Sequence, residues 1–285
     1  MTQYGYLKKS LFLLVFTVSA HLGESAFADG AIRPGDSVHL HYVCRFKNGD
    51  LADTTLSESR LAQGTKKAEI FRSIQNDAPL FLQAGDAPKS EGGPSVRDYS
   101  DEIAAQIARS LVGMEGSEQQ TVKIVADQAQ YREKSTISLA RVRQRPRELR
   151  LMPEEYAKRT GKTAEPGADF TLDPDFPGTV VSVRQDEVLI RFEAPADKTL
   201  ATPFGPATIR ETDTLYLVDI HVRQGALVRS GPMVGRIVSV DEKMFTVDYG
   251  HPLAGQDLDC EVTILSSEKA PQMPKINGNI HETAK

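Results

Sequence analysis

The sequence is poor in several features that would indicate a specialised class of protein. Its 285 residues include two cysteines and no tryptophan, and two cysteines exclude a disulfide framework or a cysteine-rich zinc site. Basic residues number 34 and acidic residues 39, so overall charge does not indicate nucleic-acid binding. Hydrophobic residues make up 40% and charged residues 26%, which excludes a disordered chain and a membrane protein with many spans. The length predicts one large domain or two moderate ones.

The first 28 residues have the pattern of a secretory signal. Lys8 and Lys9 precede an apolar run at 10–20, and Ala-Phe-Ala occupies 26–28. The apolar run is shorter than the roughly 20 residues that a membrane-spanning helix needs. We predict cleavage after Ala28 and a periplasmic or secreted location, with an uncleaved membrane anchor as the less favoured alternative. Export would place the two cysteines in an oxidising compartment.

Alternating apolar and polar residues dominate the rest of the chain and predict β-strands. The main predicted helix covers 102–112, with Ser100 and Asp101 as its cap, and a shorter helix is predicted at 153–159. The whole pattern is that of a β-rich α+β protein. The predicted loops are 56–78 (or a short extra helix there) and 85–100, and the predicted strands are 37–46, 79–84, 119–125, 136–143, 178–192, 214–223, 234–240, 244–249 and 258–265.

One segment of the chain has an internal echo. Residues 178–195 can be aligned with residues 235–252 at a constant offset of 57 positions. The alignment has two interpretations: a duplicated segment, or two generic strand–turn–strand units with chance identities. The matched pairs are Gly178 and Gly235, Val181 and Val238, Ser182 and Ser239, Val183 and Val240, and Pro195 and Pro252.

Three separated stretches carry a resemblance to a known family. The first, at 35–55, reads GDSVHLHYVCRFKNGDLADTT, and the second joins PLFLQAGD at 79–86 to the helical segment at 102–124. The third, at 245–265, contains HPLAG at 251–255. In this order the stretches resemble the FKBP-type peptidyl-prolyl cis-trans isomerases, specifically the SlyD-like subgroup.

The resemblance implies a definite architecture. It is an FKBP-like antiparallel half-barrel around one helix, with a β-rich domain inserted in the flap over the isomerase site. After the signal peptide, the first part of the FKBP-like domain is expected at 29–146, the insert at 147–240 and the last FKBP-like strands at 241–267, followed by a disordered tail at 268–285. If the echo is a duplication, it has enlarged the insert.

The activity implied by the resemblance needs few chemical groups. Prolyl isomerisation is slow because the amide has partial double-bond character, and it requires neither a nucleophile nor a metal. An apolar pocket that excludes water, with donors to hold the substrate backbone, is sufficient. We therefore expect no cofactor and no metal. The resemblance assigns to this pocket Tyr42, Asp53, Leu80, Leu82, Ile107 (with Ile103 or Ala104 before it), Tyr131, Leu253 and Cys260.

The two cysteines fall on strands that are antiparallel neighbours in the fold implied by the resemblance. Cys44 follows Tyr42 by two residues and so faces the same side of its strand. In the implied register it lies almost opposite Cys260, which stands where the family usually has phenylalanine. We predict a Cys44–Cys260 disulfide in the pocket floor, with two separate buried thiols as the alternative.

Two functional hypotheses follow from the resemblance. The first is an exported peptidyl-prolyl isomerase and folding chaperone that binds extended, proline-containing clients. The second is a catalytically inactive FKBP-like binding module with a dedicated partner, which the replacement of an aromatic residue by Cys260 favours. Neither hypothesis involves nucleic acid or stable membrane insertion, and the sequence does not indicate an oligomeric state.

Two weaker signals have simpler interpretations. His39 and His41 could form a metal pair, but we favour two polar residues on a strand. Five arginines between 141 and 150 form a basic ribbon, for which we favour a strand edge protected by charge. Contact of this ribbon with acidic lipid or an acidic client is the alternative.

Overall fold

The computed structural model describes residues 30–85, 98–115, 119–133 and 135–271. The predicted signal peptide and residues 272–285 of the predicted tail lie outside the described residues. The start of that tail, at 268–271, is ordered: Glu268 ends the last strand, and the Ala270 amide donates to Asp36 Oδ1 at 2.9 Å. The described residues are mostly antiparallel β-structure, with 46% of them in strands or bridges and with two α-helices among them. In the described part of the chain, no helix combines the length and apolar character needed to span a membrane.

The first structural unit, here called the body, is a five-stranded sheet with one helix, α1 (Tyr99–Ser110). Its strands are β1 (Ser37–Arg45), β2 (Leu51–Thr54), β3 (Leu80–Gln83), β4 (Gln119–Ile124) and β17 (Leu258–Glu268). The strand order is β2-β1-β17-β4, and β3 pairs with the first half of β1 on the same edge as β2. The long strands β1 and β17 therefore form the centre of the sheet, and α1 packs against it.

Helix α1 begins earlier than predicted. Asp98 has an extended backbone, and its side chain accepts a hydrogen bond from the Asp101 amide at 2.8 Å, so Asp98 is the N-cap. The prediction of Ser100 and Asp101 as the cap was wrong. The Asp98 carboxylate, three residues before Asp101, accepts the hydrogen bond of the free Asp101 amide and so starts the helix earlier. The shift matters because it places Ser100 inside the helix, where its side chain points into the body.

The second unit, here called the arm, consists of three four-stranded antiparallel sheets between β4 and β17. Each sheet takes one strand from the outgoing chain and three consecutive strands from the returning chain. The proximal sheet contains β5 (Thr136–Ala140), β14 (Leu227–Ser230), β15 (Met233–Val240) and β16 (Met244–Asp248). The middle sheet contains β6 (Val142–Pro146), β11 (Thr199–Thr202), β12 (Gly205–Glu211) and β13 (Leu215–Ile220). The distal sheet contains β7 (Glu148–Leu151), β8 (Asp169–Asp173), β9 (Phe176–Val183) and β10 (Val188–Phe192), with α2 (Pro153–Thr160) beside it.

The three sheets have the same internal connectivity. In each, the outgoing strand pairs with the last of the three returning strands, and the returning strands form a meander. The outgoing strands start at residues 136, 142 and 148, so successive sheets take six residues each from this ribbon. The sheets are consequently nested: the distal sheet closes first, then the middle sheet and finally the proximal sheet.

The echo in the sequence corresponds to equivalent hairpins in the proximal and distal sheets. Val183 pairs with Val188, and 57 residues later Val240 pairs with Phe245. Both hairpins contain a bulge at the same place, which leaves Val181 unpaired in β9 and Val238 unpaired in β15. Because register and bulge both coincide at one offset, the pattern favours duplication over two generic hairpins.

The arm is wider than the predicted insert at 147–240. Strands β5 and β6 precede residue 147, yet they pair with β16 and β13 of the returning chain. Sequence patterns show that a strand is present but not which partner it takes, so this boundary could not be read from them. The predicted strand 136–143 is also two strands, interrupted at Arg141.

The apolar core is divided between body and arm. The body core contains residues of α1, β1 and β17, and it also contains Val234 from the proximal sheet, with Leu227 packed against it. A second core fills the space between the distal and middle sheets, and a third lies within the proximal sheet. The proximal sheet is therefore the part of the arm that packs directly on the body.

Candidate functional site

Tyr42 and Asp53 lie together on neighbouring strands of the body. Cys44 is the direct partner of Asp53 in the β1–β2 pair, and Tyr42 lies two residues before Cys44 on the same face. The Tyr42 hydroxyl donates to Asp53 Oδ2 at 3.5 Å, and the Thr54 amide donates to Asp53 Oδ1 at 3.0 Å. Both side chains are buried, with 5% and 7% of their surface exposed. The carboxylate predicted to lie beside Tyr42 is thus in contact with it.

A serine and an arginine complete this polar cluster. Ser100 Oγ, from the first turn of α1, donates to Asp53 Oδ2 at 2.8 Å. Arg229, from β14 of the proximal sheet, donates through Nη2 to Ser100 Oγ at 3.3 Å and through Nη1 to the Ile70 carbonyl at 3.2 Å. An arm residue therefore reaches the body at the same point as the predicted pocket residues.

Two polar atoms in the cluster have no hydrogen-bond partner among the described residues. They are the hydroxyl of Tyr99, a residue of α1, and Nε of Arg229, and both are fully buried. The Arg229 guanidinium lies over the Tyr99 ring, 5.4 Å from its centroid, which is a favourable cation–π distance. Buried donors without partners are costly, so these two atoms are candidate contacts for a ligand.

Burial controls the ionisation of the cluster. Removal from water raises the pKa of Asp53, and hydrogen bonds from Ser100 and the charge of Arg229 only partly oppose this effect. Burial also raises the pKa of the Tyr42 hydroxyl well above its usual range, and the nearby Asp53 charge adds to the increase. The pKa of Tyr99 is raised for the same two reasons. The tyrosines are therefore hydrogen-bond donors throughout the physiological pH range.

The predicted apolar wall lies in the same core as Tyr42. Leu82, Ile107, Leu253 and Cys260 are buried members of the body core, together with Ile103 and Ala104, and Leu80 packs against it half-buried. Ile107 and Leu253 have no exposed surface. The structure therefore brings these residues together, in a closed rather than an open arrangement.

The HPLAG segment forms a buried turn between the arm and β17. His251 Nε2 lies 3.0 Å from the Asp127 carbonyl, and His251 Nδ1 accepts from the Leu253 amide at 3.0 Å. These two contacts assign the proton to Nε2. The imidazole thus holds the turn against the segment that follows β4 and directs Leu253 into the body core.

Tyr131 lies apart from the cluster. Its hydroxyl donates to Asp248 Oδ2 at the end of β16 at 3.1 Å, and 41% of its surface is exposed. That hydrogen bond raises the pKa of Tyr131. Its ring also occupies the space beside Gly250, where a Cβ would be 2.6 Å from Tyr131 Cε2. Tyr131 connects the body to the proximal sheet instead of joining Tyr42 and Asp53.

The predicted disulfide is confirmed. Cys44 and Cys260 are bonded, are direct partners in the β1–β17 pair and have Cα atoms 4.0 Å apart. Both residues are fully buried beneath the cluster. Since Cys44 also pairs with Asp53 across β1 and β2, the disulfide forms part of the floor under the acidic side chain.

The weaker sequence signals have structural explanations. His39 is exposed and stacks edge-on with Phe81, whereas His41 is buried and contacts Thr55. No group of three or more metal-ligating side chains occurs in the described part of the chain. The arginine ribbon lies on edge strands of the arm, and several of its side chains pair with carboxylates. These pairs are Arg141 with Asp219, Arg145 with Asp173, Arg147 with Glu211, and Arg150 with Glu187.

Sequence reasoning missed Tyr99, Ser100 and Arg229. Tyr99 fell in a segment whose glycine and proline content predicted a loop, and Ser100 was predicted only as a helix cap. Arg229 aligns with Leu172 at the offset of the echo, so the echo gives no signal for it. Comparison of the chain with known proteins adds no assignment: no protein-family model matches it, and no curated protein matches its sequence.

Proposed function

We propose that the protein is an exported peptidyl-prolyl cis-trans isomerase that binds extended, proline-containing segments of client proteins. The observation that carries the proposal is the Tyr42–Asp53 pair, which lies beside a single helix in an antiparallel sheet. This arrangement fits the FKBP-like half-barrel and the pocket that the sequence resemblance implies. The pattern of residues 1–28 and the Cys44–Cys260 disulfide support the export part of the proposal.

The chemistry of the cluster suits the reaction. A prolyl amide rotates more easily when it leaves water for an apolar site, because the twisted amide has less charge separation than the planar one. Leu82, Ile107 and Leu253 supply apolar surface next to the Tyr42 hydroxyl. Such a hydroxyl can hold a substrate carbonyl while the bond rotates, and the step requires no covalent intermediate.

The test is isomerisation of a proline tetrapeptide and refolding of a proline-limited protein, using the disulfide-bonded chain without residues 1–28. Tyr42→Phe removes one hydroxyl and should lower kcat/KM about tenfold, the effect of losing one hydrogen bond in a desolvated site. Tyr156→Phe in the arm is the matched control and should leave the rate unchanged. Equal rates for the wild type and the uncatalysed reaction would reject the proposal.

The second candidate is a binding module without catalysis. Its supporting observation is the burial of the pocket residues, since Ile107 and Leu253 have no exposed surface and Tyr42 has 5%. A module of this kind would bind one partner through the arm. Saturable binding of several unrelated unfolded proteins would argue against it, whereas binding of a single partner without any acceleration of refolding would support it.

A further inference from the structure

Arg229 stands between the buried cluster and a cavity that is open to solvent. This cavity, here called the outer cavity, has a volume of about 330 Å³. It lies where the proximal sheet meets the middle sheet, and Arg229 is part of its lining. The same side chain contacts Ser100 and the Tyr99 ring on the cluster side. Its walls include Glu69, Pro203, Phe204, Pro206, Leu227 and Arg229.

Body residues hold the guanidinium of Arg229, although the backbone of Arg229 belongs to β14 of the arm. Nη1 and Nη2 both donate to body atoms, at the Ile70 carbonyl and Ser100 Oγ, and the Tyr99 ring lies against its face. Ser100 Oγ in turn donates a hydrogen bond to Asp53 Oδ2. This chain of contacts links the docking of the proximal sheet to the acidic residue of the predicted pocket.

The contacts of Arg229 are incomplete in a way that favours movement. Its Nε is fully buried and has no partner among the described residues, and neither has the nearby Tyr99 hydroxyl. The hydrogen bonds from Nη1 and Nη2 are at the long end of the usual range. A peptide carbonyl oxygen that accepted from these unused donors would replace long contacts with new ones.

We propose that Arg229 is a gate between the outer cavity and the Tyr42–Asp53 cluster. In the closed state, which the structure shows, its side chain separates the two. In the open state the guanidinium turns away, and an extended peptide enters with its proline at the cluster. A flanking apolar residue then occupies the outer cavity, against Phe204 and Leu227. The proposal rests on the proposed function, since it assigns regulation and substrate access to the same site.

The test measures access separately from catalysis. Cys44 and Cys260 are fully buried and Cys44 pairs with Asp53, so the rate at which excess dithiothreitol reduces their disulfide reports how often the cluster opens. Arg229→Met keeps an unbranched apolar side chain that reaches about as far as Nε and removes the guanidinium donors. We expect reduction to accelerate by about tenfold or more, the effect of losing hydrogen bonds from a charged group. The same loss should lower the Tm by only a few degrees, so reduction is measured well below the Tm.

Arg210→Met is the matched control, because Arg210 is exposed on the middle sheet. The disulfide of this variant should be reduced at the wild-type rate.

Faster disulfide reduction together with faster tetrapeptide isomerisation in Arg229→Met supports both proposals. Faster reduction without isomerisation in any variant supports the gate and rejects the isomerase. An unchanged reduction rate overturns the gate, whatever the isomerisation rate. If Arg229→Met does not fold, Ser100→Ala is tested in its place, because it removes the hydroxyl that joins Arg229 to Asp53. The same outcomes then support or overturn the proposal.

Discussion

The proximal and distal sheets of the arm are built alike but placed differently. They share strand order, hairpin register and the position of a bulge. In the turn between the first two returning strands, Asp173 pairs with Phe176 and Ser230 pairs with Met233. The preceding residue is Leu172 in the distal sheet and Arg229 in the proximal sheet. Leu172 is 58% exposed, whereas Arg229 contacts Tyr99 and Ser100 of the body.

The difference shows that the contacts each sheet makes depend on single side chains placed on a repeated scaffold. Register and bulge are properties of the backbone and stay the same when the sheet changes its neighbours. The positions at which the proximal sheet differs from the distal sheet include Val234, which joins the body core, and Arg229, which joins the polar cluster. The same hairpin can therefore serve as a docking element near the body and as a free surface at the far end.

The largest expected effect is that loss of the Cys44–Cys260 disulfide destabilises the body but not the distal sheet. The disulfide joins residues 216 positions apart, so its loss should lower the free energy of unfolding of the body by about 5 kcal/mol, near the upper end of the usual range. The distal core contains no body residue among those described. We expect Cys44→Ala with Cys260→Ala to weaken amide hydrogen-exchange protection in the body and leave it unchanged in β9 and β10.

Reduced wild-type protein is the control for this double substitution. It keeps both sulfur atoms and lacks only the bond, so any further loss in the alanine variant comes from packing. Equal loss of protection in the body and the distal sheet would contradict the comparison, because it would mean that body and arm unfold as one cooperative unit.

The next largest effect uses a pair of equivalent glycines. A Cβ on Gly178 would lie 2.9 Å from the Phe192 ring, and a Cβ on Gly235 would lie 2.7 Å from the Tyr249 ring and 2.8 Å from the Asp248 carbonyl. Overpacking of this kind costs about 1–3 kcal/mol. A Cβ on Gly178 would also lie 3.0 Å from the Phe170 carbonyl oxygen. We expect both alanine substitutions to destabilise the protein in urea unfolding, with the larger loss at Gly235, where both the ring contact and the carbonyl contact are shorter.

Gly30→Ala is the control, since no atom lies within 4 Å of a Cβ built there. Gly235→Ala should also disturb the docking of the proximal sheet and so accelerate reduction of the disulfide, while Gly178→Ala should not. Equal reduction rates for the two variants would show that the proximal sheet is no more closely linked to the body than the distal sheet is.

Much of the strand pattern could be predicted from the sequence, because alternation reports which residues face a core. The strand containing Tyr42, the short helix at α2 and the last strand with Cys260 were predicted close to their observed limits. Strands β7, β8, β11, β12 and β14 lie outside the predicted strands, and the predicted strand 178–192 is two strands, β9 and β10. Most of the missed strands are short and rich in polar residues, so their stability comes from pairing within a sheet. The nesting of the three sheets was not predictable, since no local signal identifies the partner of a strand.

The site was predictable only where residues followed the family pattern. Tyr42, Asp53 and the disulfide came from the resemblance, and the structure joins them. Tyr131 was predicted for the pocket, but the structure pairs it with Asp248. Arg229 could not be predicted because its role depends on how the arm folds back across a long sequence separation. Contacts between residues far apart in the sequence were therefore harder to predict than the chemistry of the individual residues.

The smallest expected effect concerns two aspartates, Asp53 of the body, which is linked to the proximal sheet through Ser100 and Arg229, and Asp241 within that sheet. Burial raises the pKa of the Asp53 carboxyl from its ordinary value of 3.8. Asp241 lies in the β15–β16 turn, where hydrogen bonds from the Met244 and Lys243 amides lower its pKa. The equivalent of Asp241 in the distal sheet is Arg184, which carries no carboxyl group, so this pair of effects belongs to the proximal sheet alone.

The signs of the two pH dependences are opposite. The raised pKa of Asp53 means that its stabilising contribution is fully present below its unfolded pKa and is lost as pH rises through the folded value. The lowered pKa of Asp241 means that its contribution is present above the unfolded pKa and is lost as pH falls through the folded value. Relative to wild type, the Tm of Asp53→Asn should therefore increase as pH rises from about 4 to 7, while that of Asp241→Asn should increase as pH falls below about 4. Asparagine keeps the one oxygen that accepts both amides at Asp241, whereas at Asp53, where both oxygens accept, it also exchanges one acceptor for an NH2 donor. The change in Tm with pH, rather than the Tm at one pH, therefore tests the charge. Parallel curves for the two variants would show that the two aspartates have the same electrostatic environment.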